Sequence, residues 1–424
     1  MKTTIQSLKG TRDFYPAEMA VRTWIYNKIR RVSESFGYQE YDAPFLEPIL
    51  LYDPKSGGEL VKEQSFVFPD RGGDLITLRP ELTPSLARMV AQRQRELIFP
   101  LRWWSWGPFW RYERPQKGRY REFFQWNIDL IGVDTPQADA EMAALGASFL
   151  RECGLNSSQV SILVNSRQLM DAELHALEIP LKKKTEVFRL IDRRDKLSEA
   201  GWDAYAEDVG LNPNQIDGLK AILANDQLWQ KSALMEEFFK SVDVLGIADY
   251  VHFSPLIIRG LDYYTGIVFE TWDRDGEFRA VLGGGRYDDL VASIGGDPLP
   301  ATGFAMGDAV ITLVLKKFGC LPGGLEDSPA KVLVTVFDES NLNSSLAFAA
   351  LLRQSGQNVA CYPEAAKLSR QFKYAERMGI RVVIVIGPDE LIAETVTLKD
   401  LRSGDQVTFP QSQAVQAIRR ILGD

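Results

Sequence analysis

The sequence predicts an α+β protein: hairpin strands and helices form a main body, an all-helical stretch interrupts it, and a small α/β domain follows. Three observations carry this. Apolar and polar residues alternate with period two in residues 123–131, paired with the apolar run 101–110, as in strands with one buried face. Residues 166–250 are rich in Leu, Lys, Glu and Asp and lose that alternation, which predicts helices throughout. Beyond the Gly- and Pro-rich linker LPGGLEDSP at 321–329, the strings KVLVTVF, NVACYP and RVVIVIG alternate with helical patterns, which predicts a parallel sheet. The expected division is 1–165 and 251–322 for the main body, 166–250 for the insertion and 330–424 for the last domain.

The segment FWRYERPQKGRYREFFQWNIDLIG, residues 109–132, organises the rest. Phe124, Trp126, Ile128 and Leu130 fall on one strand face and Gln125, Asn127 and Asp129 on the other, because successive side chains point to opposite sides. The loop before it carries Arg111, Arg114, Lys117, Arg119 and Arg121 against one acid, Glu113. Clustered guanidiniums beside ordered acceptors suit a phosphate-bearing ligand. A solvated hairpin with spare charge is the plainer alternative.

Composition sets limits. With 424 residues, 45% hydrophobic and 25% charged, the chain has room for two or three globular domains. A net charge of −8 excludes a polybasic nucleic-acid coat, so any nucleic acid must be gripped by local patches such as residues 111–121 or 182–184. Three scattered cysteines and two histidines argue against a zinc site or disulfide framework and fit a reducing, cytoplasmic compartment. No leader and no run of ~20 apolar residues is visible, so no membrane association is expected.

In order, residues 20–36 show helical apolar spacing ending at Gly37. The Pro44 region reads either as a subunit interface or as a core helix with a bent entry. Residues 66–68 and 75–78 flank the turn Asp-Arg-Gly-Gly, a hairpin pattern. In LRPELTPSLAR, Arg79, Glu81 and Thr83 converge on a helix start near Pro84. They suit a ligand, while Thr83 equally suits an N-cap. A helix is expected over 132–154. His175 is expected on a helix surface, and the basic run Arg189, Arg193, Arg194 and Lys196 reads as an RNA-facing patch or, more plainly, as a solvated helix face. In LIIRGLDYYTGIVFETW, Arg259 sits where an apolar strand should continue, which calls for an anion or for Asp262 as partner. FRAVL is expected to be a strand, followed by the glycine-rich GGGRYDDL, which lacks a P-loop or dinucleotide spacing.

Together LRPELTPSLAR, FWRYERPQKGRYREFFQ, RGLDYYTG and GGGRYDDL closely resemble the histidyl-tRNA synthetases, class II aminoacyl-tRNA ligases, over nearly the whole chain. The resemblance implies a class II antiparallel sheet flanked by helices, an inserted helical domain, a C-terminal anticodon-binding domain and a homodimer built partly around Pro44. It implies ATP (with Mg²⁺), L-histidine and tRNA(His) as substrates and partners. It places Glu81, Leu82 and Thr83 on the histidine amino group, and Gln125, Asp129, Tyr263 and Tyr264 in the histidine pocket. Arg259 and Arg111 are the expected catalytic pair, Arg111 on the α-phosphate, with Arg119, Arg121, Gly285, Arg286, Gly303 and Gly307 around ATP. No resident metal is expected. One departure stands out: the family carries an ATP-gripping arginine where this chain has Val310. That loss also admits a histidine-binding regulatory subunit of ATP phosphoribosyltransferase, a non-ligase relative of the same core. The intact Arg259 and the C-terminal domain weigh against it.

Overall fold

The computed structural model describes residues 5–52, 64–258 and 264–423, so Arg259, Asp262 and Tyr263 lie outside the described residues. The chain forms two compact units that part between Leu321 and Pro322.

The first unit is built on an eight-stranded sheet. Its strands are β1 (Gln39–Glu40), β5 (Leu101–Trp110), β6 (Glu122–Ile131), β7 (Val160–Ser166), β8 (Val251–Phe253), β9 (Ile267–Asp273), β10 (Leu282–Arg286) and β11 (Ala301–Gly307). They lie in the order β1-β5-β6-β11-β10-β9-β7-β8. Only the β1–β5 and β7–β8 pairs are parallel. A separate three-stranded sheet joins β2 (Leu46–Pro48), β3 (Phe66–Pro69) and β4 (Leu75–Leu78), and contains the expected hairpin. The residues after Pro48 form a single 3-10 turn rather than a helix.

The period-two reading of β6 holds. Trp126, Ile128 and Leu130 are buried in the main core, with Trp126 packed edge-on against Phe304 at 4.8 Å and tilted against Phe149 at 5.3 Å. Truncating such a fully buried tryptophan to alanine typically costs about 3–5 kcal/mol. Phe149 belongs to helix Pro136–Glu152, which starts four residues later than expected because Pro136 pre-sets the first turn and the Thr135 hydroxyl accepts the Ala138 N–H. Its buried face, Ala138, Met142, Leu145, Phe149 and Leu150, is the expected one.

Residues 167–244 are helical, as expected, in five α-helices with short 3-10 turns between. They do not form a compact unit of their own. Met170, Trp202, Leu219 and Phe238 belong to one continuous hydrophobic cluster with Ile25, Trp104 and Trp126 of the sheet body. Two strand expectations shift. Residues 256–258 form no strand, and residues 278–281 of FRAVL lie outside any strand, so the strand there begins at Leu282 and is the glycine-rich Leu282–Arg286.

The second unit carries β12 (Val332–Val334), β13 (Val359–Cys361), β14 (Val382–Val385), β15 (Thr395–Asp400) and β16 (Gln406–Pro410), in the order β13-β12-β14-β15-β16. The β12–β13 and β12–β14 pairs are parallel, as the βαβ pattern requires. β15 and β16 add antiparallel pairs, so the sheet is mixed rather than parallel. Among the described residues no helix is long and apolar enough to cross a membrane.

Candidate active site

The site lies where β6, β11 and β10 run side by side. The register sets Asp129 opposite Gly303 and Gln125 opposite Gly307. A Cβ at 303 would overlap the Asp129 carboxylate and approach the Ile128 carbonyl oxygen to 2.6 Å, so only glycine lets the carboxylate lie against the neighbouring strand. Gly284 faces the same restriction from the Gly303 carbonyl oxygen and Phe304. These glycines open a cavity of about 330 Å³ above the polar row of β6.

Glu81, Thr83, Gln125, Asn127, Asp129 and Tyr264 line this first cavity, with Glu270 and Tyr287 across from them. Asp129 is 4% exposed and accepts a 2.6 Å hydrogen bond from the Tyr287 hydroxyl. Burial pushes its carboxyl up from 3.8 to about 7, and the Tyr287 bond holds it back from rising further. Asn127 is equally buried, and its Oδ1 has no hydrogen-bond partner among the described residues. A buried acceptor left without a partner is costly unless a ligand supplies the donor.

Thr83 does not cap its helix. The N-cap position of Thr83–Arg93 is Leu82, with no side-chain cap bond, and Thr83 is instead buried on the cavity wall. Leu82 is a core residue, fully buried beside Ala43 and Phe109, so its side chain does not face the cavity. Arg79 also belongs to the scaffold. Its guanidinium lies between the Phe45 and Phe109 rings and donates to Asp42 at 2.6 Å and to the Ala43 and Pro108 carbonyls.

A second cavity of about 400 Å³ adjoins the first, and Arg111 and Gln125 line both. Arg111 is anchored through Nε to the Pro80 carbonyl at 2.9 Å. Arg119, Arg279, Glu113, Gly307 and Val310 complete the lining that matters for charge. Arg119 pairs with Glu113. Its guanidinium is pulled down to about 10, first by burial and then by the neighbouring Arg279 and Arg111 charges. Three guanidiniums against a single carboxylate make this an anion site.

Four residues expected around ATP lie elsewhere, Gly303 first among them, since it lines the first cavity against Asp129. Arg121 donates to the Glu113 carbonyl at 3.1 Å and stacks over Tyr112, outside the cavity. Arg286, 3% exposed, pairs with Asp139 at 3.0 Å and donates to the Val133 and Thr135 carbonyls. Its position in the strand points it into the body rather than toward either cavity, so it cannot replace an arginine at 310. Gly285 packs against the Ile267 carbonyl oxygen and Tyr264. The residues missed by sequence reasoning are Tyr287, Glu270 and Arg279. Tyr287 stands inside GGGRYDDL, where its spacing gave no sign of reaching back to β6.

A mostly antiparallel sheet with a polar amino-acid-sized cavity beside an arginine-lined one defines a class II synthetase-type catalytic body. A family model for histidyl-tRNA synthetase matches residues 10–309 and one for an anticodon-binding domain matches residues 331–421. A histidine–tRNA ligase of Leptospira biflexa serovar Patoc is 34% identical over 441 residues, covering 99% of both chains. One from Halobacterium salinarum is 37% identical over 419 residues, covering 95% of both. The crystal structure of histidyl-tRNA synthetase from Nostoc sp. PCC 7120 superposes with a TM-score of 0.84 at 26% identity, covering 99% of this chain and 100% of that one. The chain belongs to the histidyl-tRNA synthetase family, and with it to the aminoacyl-tRNA ligase enzymes.

Proposed function

We propose that the first cavity holds L-histidine and the second the phosphates of ATP, and that the reaction occurs where Arg111 and Gln125 join them. The observation that carries this reading is the shared wall: one guanidinium borders both an acid-lined pocket and an arginine-lined one. Glu81 and Thr83 take the α-amino group. Asp129, steered by Tyr287, and Tyr264 take the two imidazole nitrogens, leaving buried polar groups unpaired when a wrong side chain enters.

The histidine carboxylate is already ionised, so activation needs placement rather than a base. A carboxylate oxygen attacks the α-phosphorus, the bond to the bridging oxygen breaks, and pyrophosphate departs. Arg111 neutralises charge at the α-phosphate. Mg²⁺ entering with ATP would supply charge neutralisation at the phosphates, and Glu113, the carboxylate that lines the second cavity, is the residue that would hold it. The terminal ribose hydroxyl of tRNA(His) then attacks the adenylate carbonyl, releasing AMP. Arg259, matched by the resemblance to the family's catalytic arginine, adds a second cation to this scheme. Residues 330–424 hold the anticodon end of the tRNA.

A homodimer built around the Pro44 region is supported by the apolar side chains that the three-stranded sheet and its margin leave exposed, Phe45, Leu46, Leu50, Val67, Phe68 and Leu75. Cys153, Cys320 and Cys361 are free thiols, consistent with a cytoplasmic protein. The deciding experiment is histidine- and ATP-dependent pyrophosphate exchange. Robust exchange, lost in Arg259→Ala, supports the ligase. Histidine binding without exchange, even with tRNA added, moves the reading to a histidine-sensing regulatory subunit.

A further inference from the structure

The resemblance implies a phosphate-gripping arginine at position 310, and the structure shows what stands there instead. Val310 is 9% exposed and forms an apolar patch of the second cavity, in contact range of Gly118 in the hairpin loop. A triphosphate tail next to that patch would lack a charge-assisted partner unless another cation lines the same space. One does. Arg279 lies in the turn between β9 and β10, on the cavity wall. It is exposed and has no hydrogen-bond or ion-pair partner among the described residues.

The turn that carries it is fastened. Asp273 accepts the backbone N–H groups of Glu277 and Phe278, both at 3.1 Å. Lys317 ties Asp273, Asp275 and Glu277 together. From the opposite side, Lys117 of the hairpin loop pairs with Glu277 at 3.1 Å and sits 4.7 Å above the Phe278 ring. The two residues before Arg279 are therefore anchored, and the hairpin and the turn close on the cavity together. Arg279 also stands near enough to Arg119 to depress its affinity for a proton. Guanidiniums that repel one another across an open cavity gain most from a polyanion placed between them.

We propose that Arg279 takes over the role of the arginine missing at position 310 and grips the β- and γ-phosphates of ATP together with Arg119. This rests on the reading of the second cavity as an ATP site. It makes Arg279, in the connection between β9 and β10, a substrate-binding residue on a different element from the helix Asp308–Lys317 that carries position 310.

The test measures binding of ATP, pyrophosphate and AMP, each with Mg²⁺, to the full-length protein and to Arg279→Ala by titration calorimetry. Arg279 is exposed, so an unchanged thermal melt checks that the variant is folded. Loss of a charge-assisted contact predicts ATP and pyrophosphate binding weakened about 10- to 100-fold, with AMP within about twofold. Unchanged ATP affinity would overturn the proposal. So would equal weakening of AMP, which would show a general distortion rather than a tail contact. If the unaltered protein binds no ATP, the ligase reading itself fails; if it binds ATP and only Arg279→Ala behaves like the parent, this assignment alone fails.

Discussion

The Tyr287 hydroxyl donates to Asp129 Oδ1 at 2.6 Å, joining the residue after β10 to the C-terminal part of β6 across the intervening strand β11. Because the bond favours the ionised carboxylate, it opposes the effect of burial. Tyr287→Phe is expected to raise the Asp129 titration above about 7 and to raise KM for histidine about 10-fold near neutral pH. The pH profile of kcat/KM for histidine checks this; a profile that stays in place would remove Tyr287 from the imidazole-binding role.

Asp129 also sets a pH dependence of stability. Its folded value, about 7, lies above the ordinary 3.8, so the folded state keeps a proton that the unfolded chain releases. Stability therefore falls as pH rises from about 4 to about 7, and the full penalty, on the order of a few kcal/mol, is present above that. Asp129→Asn cannot ionise. It should gain stability relative to the parent at pH 8 and show little gain at pH 4, measured by urea unfolding, while losing histidine-dependent exchange.

Gly303→Ala puts a methyl group onto the Asp129 carboxylate and the Ile128 carbonyl oxygen. Displacing a positioned group by about 1 Å can cost about 100-fold in rate. Histidine-dependent exchange should fall by that order, with KM for ATP changing much less. Parallel losses in both would indicate a collapse of the sheet rather than of the histidine pocket.

Arg286 is bound to Asp139 inside the body. Breaking a buried pair by removing one partner typically costs about 3–5 kcal/mol. Arg286→Ala should lose stability on that scale in urea. A folded variant with normal stability but weakened ATP binding would return Arg286 to the phosphate site.

Arg111 borders both cavities. Removing a preorganised charge at the developing negative centre usually costs about 10²–10³ in rate. Arg111→Ala should lose pyrophosphate exchange to that extent while retaining histidine binding within about threefold; an exchange rate near the parent's would take it out of the reaction.

The sequence by itself determined the row Gln125, Asn127 and Asp129, because a strand's two-residue period is a property of the backbone and needs no neighbours. It likewise determined the helical run after Ser166 and the βαβ start of the C-terminal unit. Only the tertiary structure decided which cations face the ligand. Arg111, Arg119, Arg121 and Arg286 look alike in sequence, yet two line the anion cavity and two are bound to scaffold carbonyls or to Asp139. Tyr287 and Arg279 entered the site for the same reason. Their partners lie on other strands, and the meeting of side chains far apart in the chain is set by strand order and register, which no local pattern encodes.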